Sequence, residues 1–561
     1  MEKTRVWLIV AICLFLPSVA FPESLGDLRM NLISGDVQIS TEDTEDWVAA
    51  AINMPLREGD RVWVPEGGRA ELQHVDGTAV RLDENTSLDI LSLDRDSSQF
   101  YIQRGRAYVN FRGYRDTLIQ MDTPITSIKA YDAARFGVSV SDEGSTDLLV
   151  FRGRAYSENR SGTTLVEQGK MLVLTGYTYA DIRPLPGPDS WERWNTDRDN
   201  YVYASARSSR YLPDELSAYS YEFDRYGRWV YESGYGYIWR PITVSVGWAP
   251  YRHGRWVWLG GDYVWITNEP WGWAPHHYGR WTFITRWGWC WVPPFRGAVY
   301  WGPGFVGWVH TPSYVAWVPL APGEIYYGHG YYGPYSVNII NINIKRVVIR
   351  NVYKNVYVNN SVTVISRDHF KGGKPIPLKI SGNPFLTESV SVGRPDIKPD
   401  KITRMPSAKE IAPAKLPPEP VRNIRVKELR ESRPVIKERP AMVPVPKVLP
   451  KAPARPPARD RGRPPVKVMP SEPKNLIPSK ERPAPPPKSE MRRGPETERL
   501  KRPPAPERAA PPVKGRELRE ERPAPPAPVQ PEVAPEKGGK EKAPPGKERG
   551  KGQKEQEDEM K

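Results

Sequence analysis

Three groups of residues in this chain have the types and spacing to do chemistry. The first is the run between Tyr226 and Pro294, where twelve tryptophans and seven tyrosines fall within 69 residues. Rings at that density offer stacking faces, on which a sugar lays its apolar C–H side and a single-stranded nucleic acid its bases. A signature organises the run: Tyr226-Gly-Arg228-Trp229 returns as His253-Gly-Arg255-Trp256 and Tyr278-Gly-Arg280-Trp281, with Trp-x-Pro beside it at Trp239, Trp248, Trp273, Trp291 and Trp317. A module of this size cannot bury all nineteen rings, so some are expected on an external aromatic strip. Trp248, Trp256, Trp273, Tyr278, Arg280 and Trp281 are the candidate recognition residues, with arginines able to stack on rings of a neighbouring strand.

The second group is His276-His277, with His253 one repeat earlier. Adjacent residues on a strand point to opposite faces, which places this pair poorly for sharing one ion. No metal or other cofactor is expected. The third is Cys290, flanked by Trp289 and Trp291 with no His, Lys or Arg adjacent to lower its pKa, and it reads as a buried structural thiol. Asp83-Glu84 and Asp142-Glu143 look like solvated turn charges, and no phosphate loop or nucleophile–base ordering stands out. The chain therefore reads as a binding protein and not as an enzyme.

The elements that must position these residues are mainly β. Ala70, Leu72 and His74 alternate with Glu71 and Gln73, Asp76-Gly77 signals a two-residue hairpin, and Thr78, Val80 and Leu82 resume the alternation. Gln103-Arg-Gly-Arg-Ala-Tyr108 is echoed by Phe151-Arg-Gly-Arg-Ala-Tyr156, each with a Gly where a bulge or tight turn starts a strand. The signature period near 26 residues implies short antiparallel units that are stabilised by stacking on one another, each Pro falling at a strand end or edge. The expected order is a signal peptide at 1–20, a β domain at 28–178, a linker at 179–225, the tryptophan-rich repeats at 226–320, a Gly/Tyr-rich loop with an Asn/Val-rich strand segment at 321–375, and a disordered Pro-rich tail at 396–561.

Leu56-Arg-Glu-Gly59-Asp60, Gly68-Arg-Ala70-Glu-Leu72, Asp76-Gly77-Thr78-Ala-Val80, Thr123-Pro124, Phe136-Gly-Val138 and Val150-Phe-Arg-Gly153 occur in an order that resembles the FecR domain, a β-rich periplasmic module. The resemblance covers about residues 28–178. It departs at Ala133-Ala134, where the family usually has Gly-Thr, and in the lack of the cytoplasmic segment and membrane span that precede the domain in iron-signalling members. It implies fold and compartment, without direct signalling to a sigma factor. The repeats resemble an uncharacterised family of exported bacterial proteins in which Tyr/His-Gly-Arg-Trp units follow a FecR domain and an Arg-Asp-x-Phe motif follows them, here Arg367-Asp368-His-Phe370. That family carries over no catalytic residue.

Lys3 and Arg5, the apolar run Val6–Leu16 and Ser18-Val19-Ala20 lay out a secretory signal cleaved near Phe21, too short to span a membrane. The mature chain would then hold Cys290 alone and no intramolecular disulfide. Ile12 before Cys13 argues against a lipobox. The net charge of +15 belongs to the tail: residues 401–561 hold 40 Lys and Arg against 23 Asp and Glu, together with 36 prolines and no aromatic residue. Such a segment cannot fold alone. It reads as a spacer or as a tether to an anionic surface, and nucleic acid is not an expected partner of the folded part. The sequence thus predicts an exported binding or scaffold protein of the periplasm or cell envelope, whose repeats recognise an envelope polysaccharide or a protein partner. The alternative is self-assembly, with the strip buried between subunits.

Overall fold

The computed structural model describes residues 25–440 apart from 45, 115–116, 177–178, 205–206, 342–352, 373–376 and 379–381. The expected signal peptide, the central part of the Asn/Val-rich segment and the tail beyond 440 lie outside the described residues.

Leu28 to Pro184 supply eighteen strands in two nine-stranded sheets. In the first sheet the central order is Lys170–Thr175, Thr146–Arg152, Ala134–Val140, Gly105–Phe111, Ala79–Leu82, Arg69–His74 and Leu28–Ser34. In the second it is Arg154–Asn159, Ser127–Ala130, Leu118–Asp122, Ser97–Tyr101, Thr86–Leu93, Arg61–Val64 and Gln38–Ser40. Ser97–Tyr101 and Leu118–Asp122 pair in parallel. Inward residues of both sheets, among them Leu72, Val80, Phe136, Ile39, Val62 and Met121, share one apolar core. The echoed Arg-Gly-Arg-Ala-Tyr segments mark the places where the chain changes sheet: Ser97–Tyr101 leads into Gly105–Phe111, and Thr146–Arg152 into Arg154–Asn159. The Asp76-Gly77 turn is a three-residue loop, closed by His74 N–H on Thr78 O at 2.8 Å, one residue longer than expected.

Alternation would leave the outer faces to water, yet both are covered. On the first sheet, Arg29, Asn31, Glu71 and Arg81 point outward and are buried beneath helices Ser190–Ala204 and Ser220–Tyr226. Charges removed from water must be paired. Arg81 bonds Glu71 at 2.5 Å and Asp199 at 2.7 Å, Arg198 bonds Glu71 at 2.8 Å, and Arg29 meets Glu222. The stretch 179–225, expected to be a linker, is therefore a structured layer. Its first helix starts in a capping box, with Glu192 N–H on Asp189 Oδ1 at 2.9 Å and Asp189 N–H returning to Glu192 Oε2 at 2.5 Å.

The aromatic module is built from hairpins. Gly227–Glu232 pairs with Gly236–Pro241, Gly254–Leu259 with Asp262–Thr267, Arg280–Ile284 with Gly288–Val292, and Val306–His310 with Tyr314–Pro319. Each sets one tryptophan opposite another: Trp229 and Trp239, Trp256 and Trp265, Trp281 and Trp291, Trp308 and Trp317. The fourth hairpin lacks the Gly-Arg-Trp spelling, and so the sequence shows three units where the structure has four. The motif glycine is required by close approach. A Cβ on Gly227 would lie 2.2 Å from the Trp239 ring, and one on Gly254 2.3 Å from Ile266 O. Pro241 and Pro319 end strands as expected, whereas Pro275 lies within the one-turn helix Trp273–His277. Hairpin 254–267 joins the two modules: Val257, Leu259, Val264 and Ile266 enter the sandwich core, while Trp256, Tyr263 and Trp265 enter the aromatic core. Among the described residues the Asn/Val-rich segment contributes the strands Ser336–Asn338 and Thr363–Ser366, the latter followed by helix Arg367–Gly372, whose Phe370 packs against Trp308, Trp317 and Tyr263. Among the described residues no helix is long and apolar enough to cross a membrane.

Candidate functional site

The expected recognition residues are brought together, but inside the protein. Trp248, Trp256, Trp273, Tyr278 and Trp281 are all buried, and nine of the twelve tryptophans between Tyr226 and Pro294 are buried with none exposed. Three of the candidate indoles donate to fixed acceptors, Trp248 to Glu269 Oε1 (2.7 Å), Trp273 to the Tyr219 hydroxyl (3.2 Å) and Trp281 to Pro275 O (2.8 Å), while Trp256 Nε1 is buried with no acceptor among the described residues. A ring packed into the interior on its faces has none left for a ligand. The aromatic strip is corrected to a core. The unavoidable exposure falls instead on Tyr231, Tyr235 and Tyr237 at the end of one hairpin. Arg280 stacks on a ring that is not on a neighbouring strand of its sheet, with its guanidinium 3.8 Å from the centre of Phe305, the residue before strand Val306–His310, and burial pushes its pKa down to about 10.

Cys290 is buried, and desolvation pushes its thiol up to about 12. His276 and His277 sit on a one-turn helix and not on a strand. Each is fully buried, with Nδ1 2.8 Å from a carbonyl, of Gly272 and Gly302 respectively. Burial lowers the pKa of His276 and takes that of His277 to about 3, whereas a hydrogen bond from the His253 ring to Glu269 Oε1 at 3.3 Å raises that of half-exposed His253. Ring ¹⁵N shifts should show His253 titrating above pH 6.5 and His277 staying neutral until the chain unfolds. The unfolded chain protonates both buried rings near pH 6.5, so the stability they carry is complete above that value and is lost as pH falls toward their folded values.

A second constellation lies on the outer face of the second sheet. Residues 401–440 cross it from strand to strand, as a strap interrupted by short helices at Glu419–Arg422 and Val426–Ser432. Six side chains, five on the strands Gln38–Ser40, Arg61–Val64, Ser97–Tyr101 and Leu118–Asp122 and one just past Ser127–Ala130, donate to strap carbonyls: Gln38 and Trp63 to Lys415, Arg61 to Val421 and Arg422, Gln99 to Arg433 at 2.7 Å, Gln120 to Pro434 at 3.5 Å, and Tyr131 to Ile436 and Glu438 at 3.2 and 2.9 Å. Gln120 Oε1 accepts from Ile436 N–H at 3.2 Å. The Gln99 and Gln120 amides are aimed by Asp122, at 2.6 and 3.0 Å. Around this row, Lys409 and Lys415 pair with Asp36, Arg430 with Glu58, Lys437 with Asp96 at 2.8 Å and Arg439 with Asp132 at 2.8 Å.

The tail boundary drawn at Asp396 is corrected by these contacts. A proline-rich segment cannot make a core, but it offers carbonyls with few N–H groups to satisfy, and a face of side-chain donors meets that need.

A family model described as FecR protein matches residues 60–156. The chain carries a FecR domain. A second model, described as a family of unknown function (DUF6600), matches residues 220–324, which hold the Gly-Arg-Trp hairpins. No curated protein matches the chain. Two crystal structures of a candidate anti-sigma factor from Parabacteroides distasonis ATCC 8503 are similar over a part of it. One, at 1.65 Å resolution, has 15% identity and a TM-score of 0.21 over 22% of this chain and 59% of that one; the other, at 2.50 Å, has 14% and 0.22 over 27% and 70%. The matched FecR region holds five of the six donors, Arg61, Trp63, Gln99, Gln120 and Tyr131, and Gln38 lies just before it. Sequence reasoning missed all six. The available signal was polar residues in the outward register of apolar strands, as in Gln120 between Ile119 and Met121, combined with a basic tail and an acidic domain.

Proposed function

We propose that the chain is an exported, non-enzymatic interaction protein of the cell envelope whose FecR domain binds extended, proline-rich polypeptide across the outer face of its second sheet. The observation that carries this reading is the row of six donors on main-chain carbonyls. Contacts to main-chain carbonyls are indifferent to side chains, and selectivity comes from the flanking carboxylates Asp36, Glu58, Asp96 and Asp132, which favour basic segments. The occupant in this structure is the chain's own strap, and a partner with a similar segment would compete with it. Recognition of an envelope polysaccharide by the buried tryptophans has lost its surface, and so has self-assembly through them.

The test is a labelled peptide of residues 404–440 added to a chain ending at Asp400. Fluorescence anisotropy should saturate, and Gln99→Ala with Gln120→Ala should weaken the affinity about tenfold or more, each lost hydrogen bond being worth about 1 kcal/mol. A truncated chain that keeps its circular dichroism spectrum and gives no saturation overturns the reading.

A further inference from the structure

Hairpin 254–267 turns one face to the sandwich, and Arg255 lies in the same sandwich-facing row as the core residues Val257 and Leu259. Its side chain is 8% exposed. Nη2 donates to Ile402 O at 3.0 Å, but Nε and Nη1 have no acceptor, and no carboxylate pairs with it among the described residues. Arg29 and Arg81, buried deeper still, each hold a carboxylate, whereas Arg280 lays its guanidinium on the Phe305 ring. Burial pushes the Arg255 pKa down to about 10, which leaves the group charged at neutral pH. A buried cation with free donors and no counter-charge is costly unless something anionic joins it.

Arg255 lines a cavity of about 690 Å³, of the size that holds a small molecule. The sandwich contributes Asp36 to its wall, the hairpin Asn268, and the strap Ser407, Lys409 and Lys415. Both lysines pair with the single carboxylate of Asp36. Glu410 of the strap also lines the space, so three positive groups, Arg255, Lys409 and Lys415, face two negative ones, Asp36 and Glu410.

We propose that this cavity binds a small ligand through an oxyanion, a carboxylate or a phosphate, which accepts from the free N–H groups of Arg255 and faces the ammonium groups of Lys409 and Lys415. Guanidinium donors suit either group, because charge-assisted hydrogen bonds to both are short and strong. The strap is one wall of the cavity, and a bound ligand therefore holds it down. The site needs only the docked strap and not the recognition of other peptides.

Calorimetric titration of the full mature chain with inorganic phosphate and, separately, with succinate, at constant ionic strength, tests the proposal. A saturable 1:1 heat with one of them is expected, and which one responds assigns the chemistry. Arg255→Gln should weaken that affinity about 10- to 100-fold. Lys409→Ala, on an exposed side chain whose partner Asp36 keeps Lys415, should weaken it severalfold and serves if the first variant does not fold. No saturable heat with either anion overturns the proposal, as does an affinity unchanged by both substitutions. Binding that appears only in Glu410→Gln also overturns it, since Glu410 would then be the resident partner of Arg255.

Discussion

Arg81→Ala is expected to cost about 3–5 kcal/mol of folding stability, the usual range when one partner of a buried ion pair is removed. Arg81 is 2% exposed and touches three groups: Glu71 at 2.5 Å, Asp199 at 2.7 Å and Asn195 O at 3.1 Å. The loss comes less from the attraction removed than from the carboxylates left behind. Glu71 keeps Arg198, but Asp199 is left with Arg135 at 3.5 Å and the Tyr108 hydroxyl at 2.9 Å. Urea unfolding followed by circular dichroism should show a lower midpoint with an unchanged slope, and adding Asp199→Asn should recover part of the loss through coupling between the sites. A cost below about 1 kcal/mol would place this pair with surface ion pairs. The network also sets an acid limit. Burial works to raise the Glu71 carboxyl, but the guanidinium groups of Arg81 and Arg198 outweigh it and hold the group well below the usual range. Its stabilisation is therefore complete above the unfolded carboxylate value of about 4.3 and is lost as pH falls through the folded one.

Trp281→Ala should cost a similar 3–5 kcal/mol, as large-to-small changes of buried tryptophans do. Trp281 is 1% exposed, stands opposite Trp291, packs within 5.5 Å of Trp248, and donates to Pro275 O. Truncation leaves a cavity and strips a buried carbonyl of its donor. Tyr231→Ala is the matched control: on the same four-stranded sheet but 63% exposed, it should change stability by less than about 0.5 kcal/mol. Equal effects would mean that the ring at Trp281 is not part of the core. Any binding assay on Trp256→Ala or Trp281→Ala variants reads unfolding before it reads recognition.

The β architecture was legible in the sequence because alternation and turn residues act locally: Ala70 and Leu72 face inward as their spacing requires. What local pattern cannot carry is the identity of whatever covers an outer face. Asn31, Glu71 and Arg81 read as solvent-facing, and the distant Tyr221, Arg198 and Asn195, which bond them in that order, make them interior. Gln99 and Gln120 likewise gain their role from carbonyls more than 300 residues away in sequence. The tryptophans misled for the opposite reason. Composition showed that some rings must be exposed, and the chain met that requirement with three tyrosines, whose hydroxyl groups tolerate water. The helix at Ser190 was hidden by the prolines before it, although Asp189 and Glu192 spelled its start.

The course of the strap has a mechanical corollary. Its contacts lie in sequence order across the strands, so a pull applied beyond Pro440 loads Tyr131 first, then Gln120, Gln99, Arg61 and finally Gln38. Contacts loaded in turn peel like a zipper, at far lower force than contacts sheared together. Tension on the far end would lift the segment while the sandwich beneath stays folded, and slack would let it reseat.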